Sequence, residues 1–130
     1  KPFITLSGTQ PSNTIITWND GGNIMESPTL TVLASDFVAR YLTIQNTFGS
    51  EGRAVALRVS GDRAAFYGCR ILSYQDTLLD DTGSHYYSNC YIEGATDFIC
   101  GNAASIFEVS TTSFLLKLMS LASENTGFVF

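Results

Sequence analysis

A chain of 130 residues, 45% hydrophobic and 12% aromatic, is long enough for one domain with a sizeable core and too short for two ordinary ones, which excludes disorder as its general state. Seven basic residues against 12 acidic ones give a net charge of −5, and with no run of Lys or Arg a nucleic-acid partner is not expected. The apolar runs, such as Phe114-Leu115-Leu116, fall far short of the ~20 residues of a membrane-spanning helix, so no membrane partner is expected either.

In chain order the sequence reads as short β-runs at residues 3–6, 14–18, 29–33, 38–45, 54–59, 64–71, 85–92, 97–99 and 105–109. Between them lie turn-forming clusters such as Asn19-Asp20-Gly21-Gly22-Asn23, Phe48-Gly49-Ser50-Glu51-Gly52 and Asp80-Asp81-Thr82-Gly83-Ser84. No convincing helical periodicity precedes residue 110, and the class expected is all-β. Asp80 and Asp81 read as part of a solvated turn, and the run Phe114–Met119 could equally be a short helix. Three cysteines, Cys69, Cys90 and Cys100, are too few for a disulfide scaffold and match no zinc spacing. The opening Lys1 and the apolar Gly127-Phe128-Val129-Phe130 at the other end lead us to expect a piece of a longer domain.

The sequence also repeats itself. Ala65-Phe66-Tyr67-Gly68-Cys69-Arg70-Ile71 aligns with Tyr86-Tyr87-Ser88-Asn89-Cys90-Tyr91-Ile92, so that Cys69 meets Cys90 and Ile71 meets Ile92 at one constant step. Tyr86 to Phe107 repeats that step, and residues 37–46 give a looser echo. A period of about twenty residues built only of strands and turns suits a parallel β-helix, in which like residues of successive coils stack into ladders. A β-sandwich, which also spaces short strands by 8–12 residues, is the competing architecture. The repeat favours the solenoid.

Asp76 and Asp97 are separated by the same step as the two cysteines, so on the solenoid reading they stack on adjacent coils, ~4.8 Å apart. Two carboxylates that close cannot both ionise comfortably, which is the arrangement that yields an acid and a nucleophile at one pH. Gln75 and Tyr74 stand beside the first and Phe98 beside the second. The alternative is that Asp76 merely hydrogen-bonds the backbone of a turn and that both aromatics pack in the ladder. Cys69 and Cys90 would stack likewise, as thiols in preference to a disulfide. His85, the single histidine, has no reactive-serine signature beside it, which disfavours a Ser-His-Asp esterase.

Tyr74-Gln75-Asp76-Thr77-Leu78, followed by Thr96-Asp97-Phe98-Ile99-Cys100-Gly101-Asn102-Ala103, closely resembles the two central signatures of the plant-type pectin methylesterases (pectinesterases). Arg53-Ala54-Val55-Ala56-Leu57-Arg58-Val59 resembles a third. The resemblance covers residues 1–108 and resumes over 123–128, whereas 110–122 departs from the family pattern. It implies that residues 1–130 are part of a pectinesterase catalytic domain, truncated at both ends, with a right-handed parallel β-helix fold. It further implies hydrolysis of the C6 methyl esters of galacturonate in pectin, without metal or organic cofactor. Carried over, Asp97 is the nucleophile, Asp76 the general acid and then base, and Gln75 an oxyanion donor. Arg53, Tyr74 and Phe98 are the expected substrate-binding residues. Arg53 stands where most members carry Gln, and the family's arginine that holds the nucleophile would fall beyond Phe130. These departures motivate the alternative of a catalytically inactive pectin-binding remnant. A polygalacturonase or pectate lyase is weaker, because neither the calcium-binding acids nor the further carboxylates are evident. The resemblance also implies methylated homogalacturonan and a proteinaceous pectinesterase inhibitor as partners, and secretion to the plant cell wall.

Overall fold

A computed structural model describes residues 1–108, 111–114 and 128–129. The chain winds in coils of three short strands each. The first coil holds β1 (Thr5–Ser7), β2 (Ile15–Trp18) and β3 (Leu30–Val32), and the second holds β4 (Val38–Arg40), β5 (Thr43–Asn46) and β6 (Leu57–Val59). The third holds β7 (Ala64–Tyr67), β8 (Arg70–Leu72) and β9 (Leu78–Asp80), and the fourth β10 (Ser84–Ser88), β11 (Tyr91–Gly94) and β12 (Ile99–Cys100). Then follow β13 (Ala104–Glu108), β14 (Thr111–Phe114) and β15 (Phe128–Val129). Every ladder is parallel, and the strands form three sheets in the orders β1-β4-β7-β10-β13-β15, β14-β11-β8-β5-β2 and β12-β9-β6-β3. This is the expected parallel β-helix.

The register explains the sequence repeat. Ile71 pairs with Ile92, and Leu57 with Leu78, which pairs with Ile99 in turn. Each of these side chains points inward and is no more than 4% exposed. The strand period of two sets which residues enter the core: in β10, His85 and Tyr87 are buried while Ser84, Tyr86 and Ser88 face outward. Phe66 and Tyr87 stack with ring centroids 5.0 Å apart, and Tyr87 and Phe107 at 4.6 Å, so an aromatic column runs through the interior.

Several expectations need correcting. The predicted strands 38–45, 64–71 and 85–92 are each two strands broken at a corner, where Tyr41, Gly68 and Asn89 adopt φ of 54°, 60° and 51°. A left-handed residue cannot continue a pleated strand, so the chain turns there onto the next sheet. The step between β10 and β13 is one position shorter than the step between β7 and β10, so that Phe107 stacks on Tyr87 and Tyr86 pairs with the outward Ile106. Asp80 is no solvated turn residue: it ends β9 and is 6% exposed. Phe114 ends a strand rather than opening a helix, while residues 115–119 lie outside those described. Cys69 and Cys90, as expected, are buried thiols not joined in a disulfide.

Candidate active site

Asp76 and Asp97 reach their places by the same local geometry used twice. Gln75 bridges Thr96 in parallel, and the amide of Asp76 donates to the carbonyl of Thr96 at 3.1 Å. Both aspartates adopt a left-handed backbone, with φ of 59° and 43°, immediately ahead of β9 and β12. Asp tolerates this region better than most residues because its short side chain finds local hydrogen bonds. The turn swings each carboxylate out of the strand direction. The Thr77 hydroxyl, wholly buried, donates to the carbonyl of Glu93 at 2.9 Å and fixes the turn after Asp76.

Arg53 is brought to the same place by the preceding coil. The amide of Ala54 donates to the carbonyl of Gln75 at 3.1 Å, and the Ser73 hydroxyl donates to the carbonyl of Ala54 at 2.5 Å. On the other side, the amide of Gly22 donates to the carbonyl of Arg53 at 2.7 Å. A side chain at the neighbouring Gly21 would put a Cβ 2.8 Å from that carbonyl oxygen, so the approach requires glycine. The Arg53 side chain is 61% exposed, and its Nε lies 3.7 Å from Oδ2 of Asp76, an ion pair longer than a hydrogen bond.

These residues open onto one cleft of about 230 Å³, lined by Ile24, Arg53, Asp76, Leu79, Asp97, Cys100 and Gly101. Asp76 is buried and Asp97 half-buried, so the second carboxylate is the more open to an incoming molecule. Gly101 has φ of 116°, and a Cβ there would overlap the carbonyl oxygen of Asp80, so this wall of the cleft is held tight against β9. Tyr74 lines an adjoining groove with Ser73 and Glu93 rather than the cleft itself. Gln75 sits half-buried beside Asp76. Phe98, expected to stack on substrate, is instead 1% exposed and packed in the hydrophobic core: it lies in the turn between the left-handed Asp97 and β12, where the alternation of a strand does not hold and both Phe98 and Ile99 enter the interior. Sequence reasoning missed Leu79 and Cys100. They pair with each other across β9 and β12, at the same sequence step that relates the two aspartates, so the repeat could have found them.

A model of the pectinesterase family matches residues 1–120. The chain belongs to the pectinesterase family. It is 62% identical over its whole length to "Putative pectinesterase 11" of Arabidopsis thaliana, of which it spans 39%. It is 36% identical, again over its whole length, to pectinesterase 31 of the same plant, of which it spans 48%. Among solved structures it resembles pectin methylesterase from carrot, with a TM-score of 0.85 and 37% identity over 87% of this chain and 37% of that one. A pectin methylesterase solved in complex with a hexasaccharide matches at a TM-score of 0.71 and 33% identity, over 79% of this chain and 38% of the other. The chain therefore spans less than half the length of these pectinesterase relatives.

Proposed function

We propose that this chain is part of a pectinesterase that hydrolyses C6 methyl esters of galacturonate in pectin and releases methanol. The observation that carries the reading is the pair Asp76 and Asp97, set on successive coils by identical turns and opening onto one cleft in a chain of this family. A carboxylate oxygen of Asp97, the more open of the two, attacks the ester carbonyl carbon. The carbonyl electron pair becomes an oxyanion, stabilised by the amide hydrogens of Gln75. Collapse breaks the bond to the methoxy oxygen, which takes the proton of Asp76 and leaves as methanol, with the acyl group now on Asp97. Asp76, as carboxylate, then removes a proton from water; the resulting attack breaks the acyl bond, frees Asp97 and leaves Asp76 protonated again. The product is the galacturonate acid, which loses its proton to solvent.

Arg53 stands where it can meet the ester and the oxyanion. Tyr74, in the adjoining groove, offers a ring face to a neighbouring sugar. The hexasaccharide complex of a related pectin methylesterase supports an oligosaccharide as the class of ligand. A pectin polymer in the plant cell wall is accordingly the proposed substrate, and a proteinaceous pectinesterase inhibitor the proposed macromolecular partner.

The test is methanol release from highly methylated pectin by the chain and by Asp97→Ala, at acidic and at neutral pH, with circular dichroism on both proteins. Release by the first and none by the second is expected. Folded β protein that binds pectin and releases no methanol would replace hydrolysis with binding alone.

A further inference from the structure

The reaction proposed above, on which this inference rests, changes the charge of the group held in the cleft. A methyl ester is neutral and the acid it yields is an anion at neutral pH. Among the described residues, the fixed charges lining the cleft are Asp76, Asp97 and Arg53. With Asp76 protonated, as hydrolysis leaves it, one carboxylate faces one guanidinium and the product anion meets no net repulsion. Without Arg53 the described residues would set only the Asp97 carboxylate against the same product.

Arg53 also has donors to spare. The other four arginines are each committed: Arg58 to Asp81 at 2.9 Å, Arg63 to Asp36 at 2.7 Å, and Arg40 and Arg70 over the rings of Tyr67 and Tyr91 at 5.0 and 5.4 Å. The ion pair of Arg53 with Asp76 runs through Nε, at 3.7 Å, with 61% of the arginine side chain exposed. The two terminal nitrogens of its planar fork are the geometry that grips a carboxylate.

We infer that Arg53 gives this cleft its grip on the carboxylate of the demethylated uronate, so that affinity for the acid product, more than affinity for the ester, depends on this one side chain. A neutral amide at this position would favour the oxyanion without holding the product as firmly. Arg53 thus exchanges rapid product release for charge recognition.

Two measurements test this on the intact chain. Calorimetry gives the affinity for unesterified trigalacturonate, and the methanol assay gives KM for methylated pectin, for wild type, Arg53→Gln, Arg53→Lys and Arg63→Gln. The expected result is that Arg53→Gln weakens acid binding about 10-fold or more and raises KM by a clearly smaller factor, with Arg53→Lys between. Raising salt should weaken acid binding by the wild type. Arg63→Gln, an equal loss of charge outside the cleft, should leave acid binding within about 2-fold of wild type. Equal loss for acid and ester, an equal effect of Arg63→Gln, or no acid binding by wild type would overturn the inference. Acid binding through Arg53 without methanol release would leave this site standing and sink the hydrolase reading. Methanol release with acid affinity indifferent to Arg53→Gln would sink this inference alone.

Discussion

Nδ1 of His85 lies 2.6 Å from Oδ1 of Asp80, with the imidazole wholly enclosed. Its Nε2 lies 2.8 Å from the carbonyl oxygen of Gly61, an atom that can only accept, so Nε2 carries a proton. Asp80 also accepts from the Tyr87 hydroxyl at 2.8 Å and from the Ser105 hydroxyl. Asp80 thus accepts at both oxygens, and with Nε2 already donating, the raised proton affinity of the imidazole lets Nδ1 donate as well. The geometry assigns a buried imidazolium–carboxylate pair. It ties Gly61, the turn between β9 and β10, and β13 into one cluster spanning three coils. It is not an esterase triad, because Ser105 donates to Asp80 and not to the imidazole.

This pair sets a pH dependence of stability. Burial works against the charged imidazole, but the hydrogen bond and charge of Asp80, the Gly61 carbonyl and the charge of Asp62 outweigh it and hold the pKa above its ordinary 6.5. A pKa raised by folding contributes stability that is complete below the unfolded value and is lost as pH rises through the folded one. The melting temperature of the wild type should therefore fall as pH climbs above about 6.5. His85→Gln should flatten that fall and cost about 3–5 kcal/mol at acidic pH, since Asp80 stays buried without its cation. A wild-type profile flat from neutral to alkaline pH would refute the charged pair.

The proposed chemistry separates two side chains that are adjacent in sequence. Asp76→Asn keeps the shape of the buried side chain and removes the proton carrier, and should lower kcat by about 10²–10⁴. Gln75→Ala removes an oxyanion donor and should lower kcat by about 10²–10³. Steady-state methanol release checks both, with melting curves to show that neither loss comes from unfolding.

Gly101 joins the cleft to the buried cluster. Alanine there would face a φ of 116° and the carbonyl of Asp80 together, so Gly101→Ala should cost at least about 1–3 kcal/mol. Because Gly101 lines the cleft, kcat should fall too. Urea unfolding and methanol release on the same preparation test this, and an unchanged midpoint would show that the coils slide apart freely.

The aromatic column predicts where the solenoid is most sensitive. Phe66 is fully buried between Phe37 and Tyr87, with centroids at 5.8 and 5.0 Å. Phe66→Ala should cost about 3–5 kcal/mol. Ile106, on the outer face and 53% exposed, should tolerate Ile106→Ser within about 0.5 kcal/mol. The difference between their denaturant midpoints is the measurement.

The all-β class, the coil repeat and the juxtaposition of Asp76 with Asp97 were legible in the linear chain. A solenoid writes its vertical neighbours into the sequence at a fixed step, so the interval from Ile71 to Ile92 is itself a contact. The corners needed the folded chain, because Tyr41 takes a left-handed backbone that its residue type does not announce. Folding also settled the fates of Phe98 and Asp80, one claimed by the core and the other by an imidazolium. Which way a side chain faces depends on strand phase after each turn. A shift of a single position, as between β10 and β13, moves the partner of Phe107 from Tyr86 to Tyr87 and exchanges outside for inside.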